Sequence, residues 1–313
     1  MAYSIGVDIG GTKVAAGIVT REGSVLKQLE YPTPKDSSQS ILKLLKAMIE
    51  DLYEHAAESD IQLTGIGIGS AGQINKADGT ILSGTENIKD WNAIAIVSYL
   101  KQYFNTEIYL DNDGNTFAVG EYLLGNGKNT ENLVCITIGT GIGGGVISQG
   151  QLLNGSWGGA GELGHTSVNF KGPKCNCGLN GCVETYASGT GIANRFNEKF
   201  LTEKNVNPLP TSKEVFDWYH EGREEAIEII DQAILALSHA TVNYIHVFNP
   251  EKVIFGGGIM EKHPWLLEEI QQKMIGLGMD TLTQVVEFSL SGLGPNSGLV
   301  GASQQVWLKK RGE

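Results

Sequence analysis

The chain has 313 residues, 41% of them hydrophobic and 19% charged, with 42 glycines, 8 prolines and 4 cysteines. That composition suits one large folded domain or two ordinary ones and excludes a disordered chain or a coiled coil. The formal charge is −12, with no Lys/Arg run, which speaks against a nucleic-acid partner.

In chain order, Tyr3 to Val7 reads as a short strand running into Asp8-Ile-Gly-Gly-Thr-Lys13. Val14 to Val19 and Val25 to Tyr31 follow as further strands about a Glu22-Gly23 turn. Ile41, Leu44, Leu45, Met48 and Leu52 fall at helical spacing, and Gly65 to Gly69 is the next strand. Residues 73 to 92 read as a polar loop, Ile94 to Phe104 as a helix, and Glu107 to Leu110 as a strand ending in Asp111-Asn-Asp-Gly-Asn115. Thr116 to Leu124 is expected to be helical, and Leu133 to Ile138 is a strand that opens into Gly139-Thr-Gly-Ile-Gly-Gly-Gly145. Farther on, Ile227 to Ile245 carries a helical stripe that stops at Asn249-Pro250. Glu251 to Phe255 is then a strand entering Gly256-Gly-Gly258, and a last helix spans about 299–309.

No apolar stretch reaches the ~18 residues of a membrane span, so no membrane partner is expected. The first eight residues lack a basic region and reach a carboxylate at Asp8, which makes a secretory signal unexpected and points to the cytoplasm. In that compartment disulfides are disfavoured, and the clustered Cys175, Cys177 and Cys182 read as metal ligands. Cys135, inside Val134-Cys-Ile136, reads as a small core residue.

At a constant offset of 128 residues, Gly11-Thr12 matches Gly139-Thr140 and Gly17-Ile-Val19 matches Gly145-Val-Ile147. A strand, a Gly-Thr turn and a returning strand thus occur twice, which implies two related α/β halves. The expected division is an N-terminal α/β domain, 1–117, and a C-terminal α/β domain, 118–313, carrying the cysteine loop, with room for the last helix to pack back on the first.

Three glycine turns follow three strands: Gly10-Gly11, Gly139 to Gly145, and Gly256 to Gly258. Open α/β sheets bind ligands at the carboxyl ends of their strands, and glycine lets backbone N–H groups approach phosphate. None of the three matches the P-loop pattern or a dinucleotide fingerprint.

Asp8-Ile-Gly-Gly-Thr-Lys13, Asn112-Asp-Gly-Asn115, Gly139-Thr-Gly-Ile-Gly143, Glu162-Leu-Gly-His165 and Cys175-Asn-Cys-Gly-Leu-Asn-Gly-Cys182-Val-Glu184 occur together and in order. Together they resemble the ROK family (repressors, open reading frames, kinases), whose bacterial sugar kinases share the two-domain actin/hexokinase-like ATPase fold with duplicated ribonuclease H-like halves and an interdomain cleft. The resemblance implies ATP-dependent phosphorylation of a hexose at the 6-hydroxyl. Glucose is the lead substrate, with N-acetylmannosamine or N-acetylglucosamine close behind. It places Gly10, Gly11, Thr12, Gly139, Thr140 and Gly141 on phosphates and Gly256 and Gly257 near the adenosine. Asp8 would help position Mg²⁺, since a carboxylate beside a triphosphate needs a cation between them. Lys13 either contacts phosphate or points to solvent. The sugar would be met by Gly72, Asn87, Asn112, Asp113, Glu162, His165 and Glu184, although Gly69-Ser-Ala-Gly72 carries Ala71 where the family commonly has proline.

Asp113 is the expected catalytic base, because phosphoryl transfer needs a carboxylate to take the hydroxyl proton. By position alone it reads as a helix N-cap; the resemblance turns that reading toward catalysis. Asp111 is expected to be dispensable for the chemical step. Cys175-x-Cys177-x₄-Cys182 with His165 ten residues upstream supplies three thiolates and an imidazole, a closed set for structural tetrahedral Zn²⁺.

Two other readings stand beside the kinase. A sugar-responsive regulator of the same family would carry a DNA-binding module ahead of the Asp8 turn, for which this sequence is expected to have no room. A sugar- or nucleotide-binding protein without turnover is the third. The resemblance also suggests a homodimer or homotetramer.

Overall fold

The computed structural model describes residues 2–84, 88–201 and 208–309. In chain order the elements are β1 (Tyr3–Ile9), β2 (Lys13–Thr20), β3 (Val25–Pro32), α1 (Ser38–Glu58), β4 (Leu63–Ser70), β5 (Gln73–Asn75), β6 (Thr80–Ser83), α2 (Ile96–Leu100), β7 (Ile108–Asn112) and α3 (Asp113–Leu123). There follow β8 (Leu133–Ile138), β9 (Ile142–Ser148), β10 (Gln151–Leu152), α4 (Val183–Ala187), α5 (Gly189–Phe200), α6 (Ser212–His220) and α7 (Glu224–Phe248). The chain closes with β11 (Lys252–Gly256), α8 (Gly258–Lys262), α9 (Leu266–Met274), α10 (Asp280–Thr283), β12 (Glu287–Leu290) and α11 (Ser297–Lys309). No helix among the described residues is long and apolar enough to cross a membrane.

Two compact units result, and the chain passes between them more than once. The first comprises 1–129, 145–161 and 292–313; the second comprises 130–144 and 162–291.

In the first unit five strands run in the order β3-β2-β1-β4-β7. β1 pairs antiparallel with β2 and parallel with β4, and β4 pairs parallel with β7. Ile41, Leu45, Met48, Ile49 and Leu52 of α1 are buried with Ile5, Val7, Ile66 and Ile68 of the central strands. α1 is capped by Ser37, whose side chain accepts from the Ser40 amide. α11 also packs on β1 and β4, at a separation that only glycine permits. A Cβ at Gly6 would lie 2.2 Å from the Leu299 carbonyl oxygen, and one at Gly67 would lie 1.9 Å from that of Ala302. Part of the glycine excess therefore serves helix-on-sheet packing.

A second five-stranded sheet, whose β8, β11 and β12 belong to the second unit, follows the same plan. The order β10-β9-β8-β11-β12 places β11 parallel to both β8 and β12, with β10 antiparallel to β9. β9 itself carries the chain from one unit into the other. Cys135 is fully buried in β8. The long helix α7 buries Ile229, Ile230, Ile234, Leu237 and Ile245 and ends at Asn249, which takes the left-handed conformation at φ 44° ahead of Pro250. Each sheet thus has five strands with three mutually parallel ones at one side, β1-β4-β7 and β8-β11-β12, the architecture expected of duplicated α/β halves.

Two expectations from the sequence are corrected. Residues 73 to 92 are not all loop: β5 and β6 form a hairpin whose Asp78-Gly79 turn places Gly79 at φ 67°. The helix expected over Ile94 to Phe104 is regular only from Ile96 to Leu100. Ala93 sits at φ 55° and Ile94 bonds to Ile81 as an isolated bridge, so the chain enters the helix late.

Candidate active site

Asp8, Gly69 and Asp111 share one register line across β1, β4 and β7. The carboxyl ends of these three parallel strands bring the first unit's polar residues together. β7 ends at Asn112 and α3 begins at Asp113 without an intervening loop.

The helix cap is Asn112. Its Oδ1 accepts from the Gly114 amide at 2.8 Å and the Asn115 amide at 3.4 Å, while its Nδ2 donates to the Gly72 carbonyl at 3.0 Å. Gly72 sits at φ +112°, and a Cβ there would lie 2.7 Å from the Ser83 carbonyl oxygen. Asp113 is therefore not the cap. It occupies the first turn of α3, partly exposed, with its Oδ1 accepting from the Gly114 amide at 2.9 Å.

Asp8, partly buried, lies within the field of Asp113. Burial first, and the Asp113 charge second, push the Asp8 carboxyl from its ordinary 3.8 up to about 6, with Lys13 pulling the other way. A Cβ on Gly298, in the first turn of α11, would lie 2.4 Å from Asp8 Oδ2, so glycine there leaves the carboxylate its space. The Lys13 ammonium pairs with Glu30 at 2.8 Å, both side chains about half exposed.

Asp111 is 1% exposed and fully occupied by its neighbours. Its Oδ1 accepts from the Asn112 amide at 2.8 Å and from Asn115 Nδ2 at 2.9 Å. Its Oδ2 meets the Lys76 ammonium, which also donates to Asn154 Oδ1 at 2.6 Å. Lys76 and Asn154 carry no motif that sequence reasoning could use. The Asp-Gly turn flanked by Ile74 and Ile81 was the signal for the hairpin that delivers Lys76.

In the second unit the Gly139-Thr140-Gly141 turn is held by α5, whose start is capped by Ser188. The Gly189 amide donates to the Gly139 carbonyl at 2.8 Å and the Thr190 amide donates to the Thr140 carbonyl at 3.2 Å. Glu184 Oε2 accepts from the Ile142 amide at 2.7 Å, and a Cβ on Gly141 would lie 2.6 Å from the same oxygen. Gly256 ends β11, and Gly257 follows at φ +88°, where a Cβ would lie 2.6 Å from the Ile138 carbonyl oxygen. Gly139 and Gly258 face open space.

His165, Cys175, Cys177 and Cys182 bring their ligand atoms within 4.8 Å of one another, and no cysteine is disulfide-bonded. Cys175 Sγ lies 3.5 Å from His165 Nδ1, and Cys177 Sγ lies 3.5 Å from Cys182 Sγ. A tetrahedral zinc with ~2.3 Å bonds to sulfur and ~2.0 Å to nitrogen requires edges of roughly 3.5–3.8 Å. The donor set fits. The loop is shaped for it: the Cys175 amide donates to the Leu179 carbonyl at 2.8 Å, and Gly178 turns the chain at φ +95°. Burial pushes the Cys175 and Cys182 thiols up. For Cys177 burial acts the same way, but the Leu179 amide and the neighbouring thiols outweigh it and bring that thiol down.

Cys182 immediately precedes α4, whose first turn carries Glu184. The cysteine loop is thus joined through one short helix to the carboxylate that seats the Gly139 turn. Exposed Glu162 precedes the 3-10 turn Leu163–His165 in the same unit. Asn87, which the sequence puts forward for the sugar, lies outside the described residues.

The sequence pattern of the ROK family matches residues 4–310. A glucokinase of Thermotoga maritima is 34% identical over 316 residues, covering 96% of this chain and 96% of that protein. A xylose repressor of Bacillus spizizenii is 30% identical, covering 97% of this chain and 77% of the repressor. Among solved structures, a ROK family glucokinase from Streptomyces griseus in complex with glucose and AMPPNP superposes with a TM-score of 0.79 at 29% identity, over 97% of this chain and 99% of that one.

Proposed function

Because the chain belongs to the ROK family, we propose that it is a sugar kinase that transfers the γ-phosphoryl group of ATP to the 6-hydroxyl of a hexose, with glucose as lead substrate. N-acetylmannosamine and N-acetylglucosamine stand next. The observation that carries the reading is the place of Asp113: the cap of α3 is supplied by Asn112, so the partly exposed Asp113 carboxylate stands in the first turn in a role other than that of the cap, where it can serve as base. It takes the proton of the sugar hydroxyl as the new P–O bond forms.

The sugar is assigned to Gly72, Asn87, Asn112, Asp113, Glu162, His165 and Glu184. ATP is assigned to Gly10, Gly11, Thr12, Gly139, Thr140, Gly141, Gly256 and Gly257, with Lys13 at the edge of the first turn. Asp8 would hold Mg²⁺. Its raised pKa beside a second carboxylate is the environment a cation relieves, and the ion would spread the charge of the transferring group. His165, Cys175, Cys177 and Cys182 would hold a structural Zn²⁺. With His165 Nδ1 turned to Cys175, Nε2 is the ring nitrogen left for the sugar.

A coupled assay of ADP release over a panel of hexoses tests the reading: release dependent on one sugar supports it. The resemblance to a xylose repressor favours sugar-responsive regulation as the second reading. That reading gains ground if sugar binds and no ADP appears.

A further inference from the structure

Every carbonyl of the first glycine turn is taken. The Gly10 oxygen accepts from the Thr33 hydroxyl at 2.6 Å, and the Gly11 oxygen accepts from the Lys35 ammonium. The Thr12 oxygen accepts from the Thr33 amide at 2.9 Å, and the Lys13 oxygen accepts from the Gly10 amide at 3.0 Å. Among the described residues, no acceptor meets the amides of Gly11 or Thr12.

A trans peptide points its N–H opposite to its C=O within one rigid plane. The carbonyl of Gly10 shares its plane with the amide of Gly11, and the carbonyl of Gly11 shares its plane with the amide of Thr12. Fixing the two oxygens from one side therefore aims the two N–H groups to the other. The second unit obeys the same geometry. There the oxygens of Gly139 and Thr140 are held by the amides of Gly189 and Thr190, which fixes the N–H groups of Thr140 and Gly141. The Gly139 and Thr140 oxygens of the second turn are held by backbone donors; the corresponding Gly10 and Gly11 oxygens of the first are held by two side chains.

Thr33 is equipped for that task. It is 3% exposed and stands between Pro32 and Pro34, which restrict the backbone on both sides of it. Lys35 is exposed and reaches the turn by its long stem.

We infer that Thr33 and Lys35 are positioning residues for phosphate binding: their hydroxyl and ammonium hold the Gly10 and Gly11 carbonyls so that the Gly11 and Thr12 amides face a phosphate. This rests on the kinase reading, which supplies the nucleotide. A turn released from these donors can rotate its peptide planes, and amides that must be reoriented bind an anion less well than amides already aimed.

The test is calorimetric titration of the full-length chain with Mg²⁺–AMPPNP in the absence of sugar, alongside steady-state KM values for ATP and for the preferred hexose. Thr33→Val should weaken nucleotide binding about three- to ten-fold, the range of one lost hydrogen bond. Thr33→Ser, which keeps the hydroxyl, should stay within about two-fold of the parent. Lys35→Met, a change on an exposed side chain that leaves the fold intact, should weaken binding about two- to five-fold, and Lys35→Arg should restore it. The sugar KM should move less than about two-fold throughout. Parent-like affinity in Thr33→Val or in Lys35→Met overturns the inference. So does a Thr33→Ser variant as weak as Thr33→Val, or a sugar KM that rises in step with that of ATP. If the parent binds AMPPNP but phosphorylates no hexose, the kinase reading falls while the affinities still decide the inference. A parent that binds no nucleotide overturns both.

Discussion

Asp8 lies within the field of Asp113, and burial first, with the Asp113 charge second, raises its proton affinity. The sign of the consequence follows from linkage. The folded chain holds the Asp8 proton up to about pH 6, whereas an ordinary carboxyl releases it near 3.8. Between those values the native state binds more protons than the unfolded one, and stability falls as pH rises. Metal-free protein should lose about 1–3 kcal/mol from this group over that window. Asp8→Asn should flatten that part of the curve and be the more stable protein at pH 7. Urea denaturation of both proteins from pH 4 to 7 checks this; parallel curves would remove the carboxylate pair from the account.

Lys76 and Asp111 form a buried-end ion pair, with side-chain exposures of 25% and 2%. Lys76→Met should therefore destabilise the fold by about 3–5 kcal/mol, because it leaves an uncompensated carboxylate beneath the Asn112 cap. Equilibrium denaturation measures the loss. A variant as stable as the parent would mean that Asp111 takes its support from Asn115 and the Asn112 amide alone.

Asn112→Ala removes the side-chain oxygen that caps α3 and the amide that donates to Gly72. A cap of this kind is worth about 1 kcal/mol. Denaturation should show a loss near that size, and hydrogen exchange should quicken in the first turn of α3. Unchanged exchange at Gly114 and Asn115 would assign the capping elsewhere.

The His165–Cys182 loop should carry about one zinc per chain when the protein is purified without chelator. Cys182→Ser, or prolonged chelation, should release the metal and loosen the loop together with α4, because Cys182 stands immediately before that helix. Elemental analysis and thiol titration read the two effects. Protein that is fully active and metal-free would set the cluster aside.

The five strands of the first sheet, β8, β9 and β11 of the second, and α1, α7 and α11 were legible locally: α1 by the helical spacing of its buried residues from Ile41 to Leu52, and strands such as Val14 to Val19 by a short β-prone run that is buried throughout. The short strands β10 and β12 carried no such signal. The cysteine loop was legible because ligand chemistry fixes residue type and spacing together. What the sequence hid were contacts across long separations. Asp113 read by position as a cap, and only the structure shows that its neighbour Asn112 takes that role. Lys76 lies 35 residues from Asp111, and Lys35 lies 24 from Gly11, so no local pattern records either pairing. Ile94 to Phe104 looked helical by its apolar spacing, but the bridge from Ile94 to Ile81 takes its first residues for a strand contact.

Sugar-dependent ADP release by Asp113→Asn, with hexose affinity and melting temperature measured on the same preparation, tests the central claim most directly. The account predicts a fall in turnover of roughly two to four powers of ten, the range of a positioned general base. Hexose binding and thermal stability should be retained, since the cap of α3 lies on Asn112. Turnover within about two-fold of the parent would contradict it.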